Sequence, residues 1–160
     1  MSNSDKLDFE VHPIRRNEWD MGMQLAWDTF MVFEAPMYEA IGVQNFHSFV
    51  KGKELKQLFL LGEYDAYGAY VNRIMVGIIG IRKKSHVSLL FVDSDYHRNG
   101  IATALLKNVF SISRNRGINE MTVNSSPYAV EFYHKLGFVD TEAELTTDGI
   151  RYTPMKISLA

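Results

Sequence analysis

At 160 residues with 46% hydrophobic and 22% charged residues, the chain has the size and composition of one soluble globular domain, expected over residues 1–160 with its core between about 8 and 159. A net charge of −2 supplies no basic field for nucleic acid or an anionic membrane. The absence of cysteine excludes disulfides, thiolate metal sites and a cysteine nucleophile.

The residues Met1–Asp8 are polar, so no signal peptide is expected. The run Ile74–Ile81 is the longest strongly apolar one and is too short to cross a bilayer. A cytoplasmic protein is expected. Phe9–Arg15 reads as a first strand, with Pro13 at its edge or end. Asn17 suits an N-cap for a helix whose Trp19, Met23, Ala26, Trp27 and Phe30 recur at helical spacing. Pro36 interrupts, and a weaker helix is expected over about Asn45–Lys51. Leu58–Glu63 reads as a strand, Tyr64–Asn72 as an aromatic hairpin connection, Ile74–Arg82 and His86–Val92 as further strands. The aromatics from Tyr64 to Tyr70, read as exposed on that connection, point to an interface and a homodimer. A helix runs from Gly100 to about Arg114 and closes at Gly117. Ile118–Val123 is a strand, Pro127 suits a first helical turn, and Gly137 is a C-cap candidate. Phe138–Thr141 and Tyr152–Leu159 supply the last strands. A right-handed β-α-β crossover around Gly100–Arg114 requires one parallel pair. The fold class is therefore α/β (α+β), a mixed sheet with helices on both faces.

Val92 to Leu106 carries most of the functional information. An apolar strand ends, a polar turn follows, and Gly100 opens a helix. The first N–H groups of a helix lack intrahelical acceptors and its dipole favours negative charge, which makes this an anion site suited to a pyrophosphate. A P-loop would need Gly-Lys-Ser/Thr, which the chain lacks. The glycines Gly77 and Gly80 lie within a strand and Gly100 stands alone, so a dinucleotide fingerprint does not fit.

His97-Arg98-Asn99-Gly100-Ile101-Ala102 resembles the acyl-CoA motif Gln/Arg-x-x-Gly-x-Gly/Ala of the GNAT superfamily of N-acetyltransferases, with His97 at the Gln/Arg position. Asn124, then Ala129, Phe132, Tyr133, Gly137 and Phe138 resemble its Asn…Ala-x-x-Phe-Tyr-x-x-x-Gly-Phe segment. Gly149–Met155 resembles its closing strand, and the likeness runs from residue 8 to 159. It implies a mostly antiparallel sheet of six to seven strands, splayed at a central parallel pair. It also implies acetyl-CoA as co-substrate without a metal, and acetyl transfer to an amine. A small-molecule acceptor is expected; the alternatives are a protein or peptide acceptor, or a non-catalytic acyl-CoA-binding module. No nucleic-acid or membrane partner is expected.

The resemblance implies that Phe91, Val92, His97, Arg98, Asn99, Gly100, Ile101, Ala102, Thr103, Asn124 and Tyr133 meet the cofactor. The loop amides would cradle the pyrophosphate. The Val92 main chain would pair with the pantetheine arm, and its N–H would face the thioester carbonyl. Asn124 is equally readable as a turn residue. Tyr133 would be the general acid to the leaving thiolate, or a core tyrosine with a bonded hydroxyl. His86, six residues before Val92 on the same strand face, has the intrinsic pKa of a base near neutrality; it is equally readable as an exposed residue at a strand start. Glu34 and Glu39, flanking Pro36, would hold an ammonium or sit solvated on the surface. Acceptor determinants are expected near Glu34–Glu39 and Tyr64–Tyr70.

Overall fold

The strand Ile74–Arg82 is buried from Met75 to Ile81, and a strand buried on both sides requires cover on both faces of its sheet. The computed structural model, which describes residues 6–160 and so omits most of the polar N-terminus, supplies that cover. The elements are β1 (Glu10–Pro13), α1 (Trp19–Phe33), α2 (Ala40–Lys51), α3 (Lys53–Leu60), β2 (Tyr64–Val71), β3 (Ile74–Arg82) and β4 (His86–Val92). They continue as α4 (Ile101–Asn115), β5 (Glu120–Ser125), α5 (Val130–Leu136), β6 (Val139–Asp140), β7 (Leu145–Thr147) and β8 (Ile150–Ser158). The strand order is β1-β2-β3-β4-β5-β8-β6, with β7 paired to β8. Every pairing is antiparallel except β4 with β5.

One core cluster joins Trp19, Met23, Phe30, Val50 and Leu55 of α1–α3 to Tyr64, Ile78 and Leu89 of the sheet. The other joins Ile101, Leu105, Leu106 and Val109 of α4 to Ile79, Val87 and Met121 on the opposite face. The apolar stripe of α4 is the one its 3.6-residue spacing predicts. Among the described residues, no helix is long and apolar enough to cross a membrane.

Four expectations are corrected. Leu58–Glu63 is not a strand: α3 runs to Leu60, with Leu55 buried and Leu58 and Phe59 packed beside it. A short apolar run has no decisive period, and here the spacing from Leu55 to Phe59 is helical. Tyr64–Val71 is not a connection but a central strand, in which Tyr64, Ala66 and Tyr70 enter one cluster and Tyr67, Ala69 and Val71 the other. Tyr64, Tyr67 and Tyr70 are 1%, 7% and 5% exposed, so they offer neither a dimer surface nor acceptor contacts. Asn17 is not an N-cap; it lies in a 3-10 turn, Arg16–Glu18, closed by the Arg15 N–H donating to Glu18 Oε1 at 2.7 Å. The sheet has eight strands rather than six or seven, because the short β7 folds back onto β8.

The parallel pair positions the site. Its partners are His86 with Thr122 and Val87 with Val123 only. Beyond them β4 continues to Val92 against β3 alone, while β5 continues to Ser125 against β8. The sheet therefore opens as a V between two adjacent strands.

Candidate functional site

Backbone geometry builds the first wall of the cleft. The Asp93 N–H donates to Val76 O at 2.8 Å. By the alternation of an antiparallel ladder, the N–H and C=O of Val92 then point the other way, into the opened V. His97 meets that carbonyl with Nε2 at 2.7 Å; since a carbonyl only accepts, Nε2 carries the proton. The imidazole also stacks on Phe33, centroids 4.8 Å apart. His97 thus braces the strand end, and Asn99 braces the loop, donating to Tyr96 O and His97 O at 3.1 and 3.0 Å.

The loop enters α4 through left-handed residues, Arg98 at φ 65° and Gly100 at φ 76°. The first helical bond is Ala104 N–H to Gly100 O at 2.9 Å. The N–H groups of Ile101, Ala102 and Thr103 precede it, and no side chain caps the helix. They face outward with the positive end of the dipole. A Cβ built on Gly100 meets no atom within 4 Å, so the loop borders open space that a side chain there would fill.

That space belongs to a cavity of about 960 Å³ lined by Phe91, Val92, His97, Arg98, Gly100, Ile101, Ala102, Thr103 and Tyr133, among others. Its size is within the ~300–1,000 Å³ of ligand sites. Donors at one end and a buried phenol at the other suit an elongated ligand with phosphates at the α4 end.

A second cavity of about 500 Å³ lies on the other side of the V, lined by α1, α2, β4 and the β7–β8 turn. Asn124 lines this one. Glu34, Leu90, Phe91, Ala129 and Tyr133 line both, so the two cavities meet there. Tyr133 is buried, and its helix ends in a left-handed Gly137 with the Phe138 N–H returning to Tyr133 O at 3.1 Å. Burial, and then the charge of Glu34, push the Tyr133 phenol well above its ordinary range. Glu34, at the end of α1, is half-buried. Burial raises its carboxyl to about 7, against a small opposing effect of the Tyr38 hydroxyl at 3.4 Å.

The remaining candidates lie elsewhere. His86 sits at the closed end of the V, its Nδ1 2.8 Å from Thr122 Oγ1, and lines neither cavity. Burial, then Arg82, hold its pKa down. Glu39 is exposed outside both cavities. Sequence reading missed Tyr38, Phe46, Phe49 and Tyr152, which line the second cavity. The i, i+3 spacing of Phe46 and Phe49 was the available signal.

Beside the second cavity, α2 and the β7–β8 turn meet in a backbone contact. A Cβ on Gly42 of α2 would collide with the carbonyl oxygen of Gly149 in the β7–β8 turn, and one on Gly149 would lie 2.6 Å from Gly42 N. Asn45 Nδ2 also donates to Asp148 O at 3.1 Å. Gly42→Ala is expected to destabilise by about 1–3 kcal/mol through overpacking. Urea unfolding measures this, and wild-type stability in the variant would contradict so close an approach.

A family model described as acetyltransferase (GNAT) domain matches residues 34–159. Over 69 residues the chain is 33% identical to glucosamine 6-phosphate N-acetyltransferase of Trypanosoma brucei brucei, covering 43% of this chain and 47% of that protein. Over 78 residues it is 35% identical to the uncharacterized N-acetyltransferase YafP of Escherichia coli (strain K12), covering 49% and 48%. The chain thus spans about half the length of the curated relatives it matches. Among solved structures, it is similar to a GCN5-related N-acetyltransferase from Rhodopseudomonas palustris, with TM-score 0.81, 20% identity, and 93% and 94% of the two chains covered. It is also similar to the PaiA N-acetyltransferase of Thermoplasma acidophilum in complex with coenzyme A, with TM-score 0.75, 17% identity, and 95% and 99% covered. At these identities the two structures speak for the fold.

Proposed function

The chain belongs to the GNAT acetyltransferase family, and from that premise we propose that it transfers an acetyl group from acetyl-CoA to the amine of a small molecule. The observation that carries the reading is the meeting of two cavities at Tyr133 and Glu34 inside one split sheet. Direct transfer needs both partners held at one point, and such proximity alone is worth about 7–11 kcal/mol in well-oriented systems. A cavity of about 500 Å³ walled by α1, α2 and the β7–β8 turn supports a small acceptor, which it can hold whole, over a peptide.

Acetyl-CoA fits the first cavity: the free amides of Ile101–Thr103 and the open space at Gly100 suit its pyrophosphate. Bound there, it supplies a thioester whose acyl carbon accepts the amine as the carbon–sulfur bond breaks and the thiol leaves. The Val92 N–H, facing the V, is the donor for charge developing on the carbonyl oxygen. Glu34 takes the proton the amine loses. Its position in both cavities and its carboxyl near 7 support it as the base over His86, which lines neither. Tyr133 gives its hydroxyl proton to the departing sulfur. The two groups are coupled: burial, and then the Glu34 charge, hold the Tyr133 phenol up, so proton uptake by Glu34 removes the second of these as the sulfur needs its proton.

Acceptor-dependent release of free thiol tests the activity; CoA binding with no amine-dependent release would favour a binding module. Tyr133→Phe is expected to lower kcat about 10- to 100-fold, at or below the usual range of general acid catalysis. The KM for acetyl-CoA should change far less. Steady-state kinetics decide, and unchanged kcat with weakened cofactor binding would remove the acid role.

A further inference from the structure

We propose that the acceptor cavity takes a primary monoamine carried on a bulky apolar body, an arylalkylamine in preference to a polyamine or an amino sugar. The proposal deepens the acetyl-transfer reading and rests on it.

The first observation is a continuous wall of rings. Phe30 and Phe46 stack with centroids 4.0 Å apart, Phe46 meets Phe91 edge-on at 5.6 Å, Tyr38 tilts against Phe30 at 5.6 Å, and Phe49 lies 6.4 Å from Phe46. Phe30 and Phe91 are buried, but Tyr38, Phe46 and Phe49 are only half-buried, and all five line the cavity. Ring surface left facing a cavity gains by being covered with apolar surface. Aromatic faces also attract an ammonium as it arrives.

The second observation is that part of the polar lining is already committed. Asn45 donates to Asp148 O. The Ser88 hydroxyl is 2.7 Å from the Tyr64 hydroxyl. Thr147 Oγ1 and the Tyr152 hydroxyl lie 3.0 Å apart. A sugar hydroxyl laid against the ring faces would lose its hydration to carbon, and an unpaired buried hydroxyl is costly.

Charge completes the choice. Glu34 stands where the cavity meets the cofactor side, beside Tyr133, and serves one amine. Asp148, the other acid of the lining, sits on the exposed β7–β8 turn. Arg82 lines the cavity near the closed end of the V and forms no ion pair among the described residues. A second ammonium reaching that end would meet a guanidinium.

The test uses the full chain with 2-phenylethylamine, spermidine and glucosamine. Thiol release with acetyl-CoA is measured for each, together with calorimetric binding of each amine to the CoA-loaded protein. The expected result is a kcat/KM for 2-phenylethylamine at least about tenfold above the other two, equivalent to about 1.4 kcal/mol, with binding in the same order. Phe49→Ala should raise the KM for 2-phenylethylamine about tenfold without changing CoA affinity, provided a thermal melt finds the variant folded; the wild-type panel stands without it. Preference for spermidine or glucosamine would overturn the proposal and leave acetyl transfer intact. CoA binding with no release and no binding of any amine would overturn both.

Discussion

Glu34→Gln is expected to lower kcat/KM about 100-fold at pH 8, at the low end of the range for a general base, and to change the shape of its pH profile. In the wild type, burial holds the Glu34 carboxyl at about 7. Below that pH it is protonated and cannot accept a proton; above it the carboxylate is available. The logarithm of kcat/KM should therefore rise with a slope of about 2 below about 7, where carboxylate and free amine are both being formed, and of about 1 from there until the amine itself has lost its proton nearer 10. Glutamine removes the steeper limb and leaves the shallower one. A role confined to holding an ammonium predicts the opposite balance, with KM for the amine rising and the limb near 7 reduced only in proportion. A profile that keeps its lower limb in the glutamine variant would exclude Glu34 as the base and return attention to His86.

The same shift has a stability consequence of definite sign. Glu34 binds its proton more tightly folded than unfolded, from 4.5 up to about 7. Between those values the native state holds the extra proton, so this group's contribution to stability falls as pH rises from about 4.5 to about 7. Glutamine carries no such penalty. The variant should melt higher than the wild type at pH 8 and lose that advantage near pH 4. Gain of stability with loss of turnover is what a functional buried carboxyl gives, and a merely structural residue would not combine the two.

The half of the cleft proposed to hold the cofactor was legible in the sequence because its geometry is local. A strand end, a left-handed glycine and an uncapped helix start follow one another from Val92 to Thr103, and each is set by turn and helix-terminus physics within a few residues. The parallel pair followed from the β-α-β order alone. The acceptor half was not legible, since it is assembled from α1, α2, β4 and the β7–β8 turn. The Gly42–Gly149 contact joins residues that no periodicity links. Glu34 is an ordinary acid in the sequence; its raised carboxyl comes from the burial the tertiary packing imposes. The longest misassigned region, Leu58–Asn72, failed for a physical reason too. Its apolar run is short enough to satisfy either period, and its tyrosines read as an exposed aromatic connection until a sheet buries them.

Gly100→Val is expected to weaken CoA binding at least about 100-fold, which is about 2.7 kcal/mol. Two effects act together and must be separated. A β-branched residue at φ 76° is strained in itself, because Cβ crowds the backbone in the left-handed region. The side chain would also enter the open space bordered by the α4 amides, where no protein atom lies within 4 Å of the Cβ. The chain contains its own control. Gly117, just past the other end of α4, has φ 78° and likewise meets nothing within 4 Å of a built Cβ. Gly117→Val thus carries the same backbone strain with no ligand to crowd. Both variants should lose similar stability in urea, of the order of 1–3 kcal/mol, whereas calorimetry should find CoA affinity lost only in Gly100→Val. Wild-type CoA affinity in both variants would mean that the space at Gly100 is not where the pyrophosphate sits. An equal loss in both would assign the effect to strain in α4, not to the cradle.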